Sequence, residues 1–126
     1  MRIQRSLLLA LTVCFSSTLS FAHGEAPKPR HGGVVQESQE LWLELVVKDD
    51  TVSIYVLDET QKPVPANQIS GSATVLVSGK SYKVDLAGGS GEVVNGKLPV
   101  AATGRLVAIV ALKIGAKSIS ARFVGQ

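Results

Sequence analysis

From Val34 onward, apolar residues recur at every second position, and this period narrows the possible folds more than any other feature of the chain. Leu41, Leu43, Leu45 and Val47 fall on one face of a first run, and Val52, Ile54 and Val56 on one face of the next. Asp49-Asp50 lies between them as a turn, which predicts a β-hairpin. Ala73, Val75 and Val77, then Tyr82, Val84 and Leu86 across Gly79-Lys80, predict a second hairpin. A short strand is expected over residues 92–94. Residues 106–112 are apolar throughout and read as a central strand covered on both faces. Ile119, Ala121 and Phe123 alternate after the turn at Gly115-Ala116-Lys117. β-branched residues and glycines interrupt nearly every helical window, leaving a single turn around residues 65–69 as the best helical candidate. Turn signals every ten residues or so predict an all-β domain over residues 34–126. The expected form is an immunoglobulin-like antiparallel β-sandwich of seven to eight short strands. Its expected core holds Leu43, Leu45, Ile54, Val56, Val75, Val84, Leu106, Ala108, Val110, Ile119 and Phe123. Trp42 alternates with Leu41 and Leu43, and is expected to anchor a second core layer in preference to an exposed partner patch.

The preceding segment has a different character. Arg2 and Arg5 precede a mostly apolar, uncharged stretch over residues 6–21, and Ser20-Phe21-Ala22 places small residues where signal peptidase reads them. The stretch is broken by Ser16, Ser17, Thr18 and Ser20, so it reads as a cleaved signal peptide over residues 1–22 rather than a membrane span. Cys14 lacks the small preceding residue of a lipobox, because Val13 stands there. Cleavage after Ala22 predicts export to the periplasm of a Gram-negative bacterium, with no membrane insertion after processing. It also removes the only cysteine, so the mature chain would be held by packing without a disulfide.

Of the 13 Lys and Arg residues, loss of Arg2 and Arg5 leaves a net charge of +1 against 10 acidic residues. The remaining cations are scattered singly with few aromatics between them, which argues against a nucleic-acid partner.

Residues 23–33, HGEAPKPRHGG, carry Pro, Gly and charge with no apolar period, and are expected to form a flexible amino-terminal arm. The chain has two histidines, His23 and His31, and both lie in this arm. Cleavage after Ala22 would make His23 the first residue, offering its α-amine and ring nitrogen together as a chelate. An α-amine has a pKa of about 8, so a metal can displace its proton near neutrality. With His31 as a third nitrogen, the set suits Cu(II) in preference to Zn(II). Cleavage after Gly24 would instead start the chain at Glu25 and remove that chelate. A structural reading also exists, in which His23 merely follows the cleavage site and His31 opens a turn with Gly32 and Gly33.

Other chemistry finds little support. Asp49-Asp50 and Asp58-Glu59 sit at turns, where adjacent side chains diverge. No G-x-S-x-G elbow occurs and no histidine follows His31, so a hydrolase triad lacks its base and the chain is not expected to be an enzyme. Gly88-Gly89-Ser90-Gly91 lacks the Lys-Ser/Thr of a phosphate loop and reads as a strand connection.

Four ordered features, His31-Gly32-Gly33-Val34-Val35, Leu43-Glu44-Leu45-Val46, Ile54-Tyr55-Val56 and Lys62-Pro63-Val64, resemble small periplasmic proteins associated with heavy-metal resistance. A similar His-Gly-Gly opening and strand pattern occurs in the amino-terminal domain of cobalt–zinc–cadmium type efflux adaptors. The resemblance covers residues 30–124 and implies metal handling with His31 as the matching ligand, beside a heavy-metal efflux pump or its adaptor. This chain lacks the coiled-coil hairpin and lipoyl-like halves of a full adaptor, which points to a chaperone or sensor. A weaker resemblance is to periplasmic copper carriers of the copper-resistance type, whose mature chains begin with His as this one would at His23. The later histidines of those carriers are absent here. The alternative expectation is a metal-free protein-interaction module of an envelope or efflux complex.

Overall fold

A computed structural model describes residues 25–89 and 91–125, so the leader expected over residues 1–22 and His23 lie outside the described residues. The all-β expectation holds. Eight strands follow one another: β1 (Val34–Ser38), β2 (Leu41–Lys48), β3 (Thr51–Leu57), β4 (Ile69–Val77), β5 (Lys80–Gly88), β6 (Val93–Lys97), β7 (Leu106–Ile114) and β8 (Lys117–Gly125). The expected helical turn is a single 3-10 turn at Ala66–Gln68. Among the described residues no helix is long and apolar enough to cross a membrane.

Local chemistry accounts for the hairpins. Lys48 pairs with Thr51 across Asp49-Asp50, and Asp49 takes the positive φ of 55° that a tight turn asks of a small polar residue. Val77 pairs with Lys80, which puts the second turn on Ser78-Gly79, one residue earlier than expected, with φ of 50° and 78°. Two consecutive positive φ values match the right-handed twist of the flanking strands.

Hydrogen bonding joins all eight strands into one antiparallel sheet, in the order β1-β2-β3-β6-β5-β4-β7-β8. Two junctions differ from the rest. β5 and β6 pair at only Ala87 with Asn95 and Gly88 with Val94. β1 meets β8 through side chains: the Ser38 hydroxyl donates to the Ser120 carbonyl at 2.7 Å, and the Gln39 amide to the Ser118 carbonyl at 3.3 Å. The Lys117 ammonium donates to the Gln39 carbonyl at 3.4 Å. The sheet is therefore nearly closed, with two four-stranded halves, β1-β2-β3-β6 and β5-β4-β7-β8, around one core.

All eleven expected core residues are buried, joined by Val52, Ile69, Ala73, Val77, Leu86, Val94, Leu98 and Leu112 among others. All but Leu98, which follows β6, are alternate residues of their strands, so a register slip of one residue would expose a strand's whole set. The β7 expectation needs correction. This strand is covered on one face only: Leu106, Ala108, Val110 and Leu112 point inward, while Ile109 and Ala111 are exposed. Its apolar run arises because two independent faces both carry apolar residues, a pattern that period alone cannot separate from double burial.

Candidate functional site

Glu44 sits between Leu43 and Leu45 on β2, and alternation sends its side chain to the outer face of the β1-β2-β3-β6 half. A carboxylate there would ordinarily be solvated. Glu44 is nevertheless only 6% exposed, the one buried charged residue among the described residues, because the arm crosses directly above it.

A buried carboxylate must be fully hydrogen-bonded to remain ionised. The arm supplies its donors. The backbone N–H of Arg30 donates to Oε1 at 3.0 Å, that of His31 to Oε2 at 2.9 Å, and that of Gly33 to Oε2 at 2.9 Å. The His31 Nδ1 lies 3.0 Å from Oε1. Burial pushes the carboxyl pKa up, but the hydrogen bonds from Gly33, the His31 ring, and the His31 and Arg30 amides together outweigh it and hold Glu44 below the usual glutamate range. The arm is thus clasped to the sheet by an anion.

Each residue of His31-Gly32-Gly33 has a distinct part in this clasp. His31 places its ring flat on Tyr55, the cross-strand neighbour of Glu44, with centroids 3.5 Å apart and planes 6° from parallel. Gly32 has φ of 75°, the left-handed conformation that turns the chain from the outer face toward β1. A Cβ at Gly33 would run into the Leu45 carbonyl and the Val46 side chain, so only glycine lets the arm lie close enough to donate its N–H. The Arg30 guanidinium adds a tie to the Gln61 carbonyl at 3.0 Å.

The chemical consequence falls on His31. An ionised carboxylate accepts hydrogen bonds only, so in the neutral form of the ring Nδ1 is the nitrogen that carries the proton and Nε2 the one that keeps the lone pair. The side chain is 38% exposed. It borders a cleft of about 110 Å³ lined also by Arg30, Tyr55, Pro63 and Glu92. This is an oriented, solvent-reachable imidazole rather than one on a free arm.

Of the two expected ligands, His31 is placed in this site, and His23 lies outside the described residues. No three His, Cys, Asp or Glu side chains gather into a metal-sized group among the described residues. The acidic pairs act as turn residues. Asp58 Oδ1 accepts from the Thr60 hydroxyl at 2.7 Å and from the Thr60 and Lys62 amides, while Asp50 pairs with Lys97 at 3.1 Å. Trp42 is half-buried on the outer face of β2, where it lines a small hollow beneath the arm with Pro27 and Leu57, and is not part of an inner layer.

Sequence reasoning missed Glu44 as the centre of the site, together with Tyr55 and Glu92. The signal for Glu44 was a lone acidic residue in an otherwise apolar strand, and for Tyr55 its place directly opposite in the hairpin register. Comparison of the chain with protein-family models, curated proteins and solved structures finds no match, so what the site can do rests on this geometry.

Proposed function

We propose that the chain is a periplasmic metal-binding accessory protein, a chaperone or sensor beside a heavy-metal efflux pump or its adaptor, with His31 as an anchored ligand. One observation carries this reading: the buried Glu44 carboxylate holds the Nδ1 side of a His31 ring that stays partly exposed, leaving Nε2 without a share in that contact. Metal-binding imidazoles characteristically donate their second ring nitrogen to a carboxylate, which fixes the tautomer and raises the basicity of the ligating nitrogen. The amine and ring of His23, at the start of a chain cleaved after Ala22, would complete a nitrogen set that favours Cu(II) over Zn(II). His23 and His31 are eight positions apart, enough for the terminus to fold back.

The test is Cu(II) and Zn(II) titration of the processed protein by calorimetry, with intact mass to establish where it starts. His31→Ala and a one-residue extension before His23 are each expected to weaken Cu(II) binding without unfolding the domain. Glu44→Gln should weaken it by about 10–100-fold. Absence of Cu(II) binding at micromolar concentration, or wild-type binding by these variants, removes the metal reading. The metal-free interaction module then leads, a reading favoured by the outer face of the β5-β4-β7-β8 half, which no described residue outside it covers.

A further inference from the structure

The two halves of the sheet differ in what covers them. The arm lies over the outer face of β2 and β3, whereas among the described residues nothing lies over the outer face of β5-β4-β7-β8. That face includes Ile109 and Val124, 47% and 42% exposed. Pairing registers arrange it in rows across the four strands. Asp85, Ser72, Ala111 and Ser120 form one row, and Lys83, Thr74, Ile109 and Arg122 the next.

We propose that this face is the interface of a symmetric dimer, two copies stacking sheet on sheet about a two-fold axis that runs across the strands between these two rows. The axis lies in the sheet plane, so each strand covers its own copy and the rows exchange. Lys83 of each copy then faces Asp85 of the other, giving two equivalent ion pairs. Neither side chain has a hydrogen-bond or ionic partner within the chain among the described residues, so both are available.

At three positions the same operation matches large side chains to small ones, and it sets Lys113 over Val107. Ile109 covers Ala111 of the other copy, Leu76 covers Ser70, and Val124 covers Ser118. The alternative axis, parallel to the strands, would oppose Lys83 to Arg122 and repel. Charge therefore selects the first arrangement. Four strands of nine residues span about 19 by 30 Å, or about 1,100 Å² over both copies, close to the ~1,000 Å² that a specific interface requires. Aligned stacking of twisted sheets is a common solution for such faces. The dimer leaves His31 on the opposite side of each copy, so it stands or falls apart from the metal reading.

Sedimentation equilibrium of the processed protein, from micromolar to near-millimolar concentration, tests it. The average mass should climb from one chain toward two. Lys83→Asp and Asp85→Lys should each weaken association more than about tenfold, because each opposes like charges twice. The double variant Lys83→Asp/Asp85→Lys should restore it, which a merely damaged surface would not do. Circular dichroism checks that the strands persist. A monomer throughout the range, a dimer indifferent to both single changes, or failure of the double variant to recover overturns the proposal.

Discussion

The imidazole of His31 lies parallel to the phenol of Tyr55 at a centroid distance of 3.5 Å while its Nδ1 contacts Glu44 at 3.0 Å. One ring is therefore fixed in two directions, by a face on β3 and an edge on β2. Stacking of this kind contributes about 0.5–1.5 kcal/mol beyond area burial, and hydrogen bonds to a charged group about 1.5–3 kcal/mol each.

Removing the anion should release the arm. Glu44→Ala strands the Arg30, His31 and Gly33 amides and is expected to cost on the order of 2–4 kcal/mol in urea denaturation. Trypsin reports the local part of the effect. The bond after Arg30 should be cut faster in the variant than in wild type, and equal cleavage rates would count against the clasp.

Acid should act at the same place. The folded-state pKa of Glu44 is lowered, so across the window below the ordinary glutamate value of about 4.3 the unfolded chain binds the extra proton, and stability rises with pH. The contribution is fully present above that value and is lost as pH falls through the depressed folded pKa. Plotted against pH, the unfolding free energy of Glu44→Gln should be flatter than that of wild type in this window alone. Parallel curves would show that Glu44 titrates alike in both states.

Gly33→Ala tests close approach without touching any charge. The added methyl meets the Leu45 carbonyl, a backbone atom of a paired strand that has no easy way to yield. A cost of about 1–3 kcal/mol is expected, together with faster cleavage after Arg30. Gly32→Ala should instead be strained by its positive φ, since open space surrounds its Cβ position.

Core packing offers a check on the fold that is independent of the arm. Ile54 is fully buried in β3, and Ile54→Ala should lower stability by about 2–5 kcal/mol in the same denaturation assay. A loss below about 1 kcal/mol would mean that the site collapses around the cavity more completely than a close-packed interior allows.

Strands and core were legible because period two is a local property: Leu43 and Leu45, or Ile54 and Val56, declare their face within a few residues. Which strand joins which was not, since the pairing of β3 with β6 and of β4 with β7 spans long loops and leaves no local mark. The doubly apolar Ile109 and Ala111 positions hid the one-sided burial of β7 for a related reason: outward apolar residues mimic a buried strand. At the candidate site, His31 stood out by residue type alone. Glu44 did not, because its burial depends on an arm folding over it from 11 to 14 residues away.

The uneven seams of the sheet divide the molecule into parts that should open separately. β4 and β7 are joined by nine successive residue pairs and β7 and β8 by nine more, whereas two pairs hold β5 to β6. Hydrogen–deuterium exchange should accordingly separate two classes of amide. Those of Ala87, Gly88 and Asn95 should exchange through a small local opening, while those in the middle of β4 and β7 wait for global unfolding. The Ser38–Ser120 and Gln39–Ser118 contacts across the other seam fasten it through side chains, so the nearly closed sheet has two weak points, one on either side of each half. Thermal motion at these points would part the halves as two leaves, each keeping its own internal ladder while the core between them is briefly wetted.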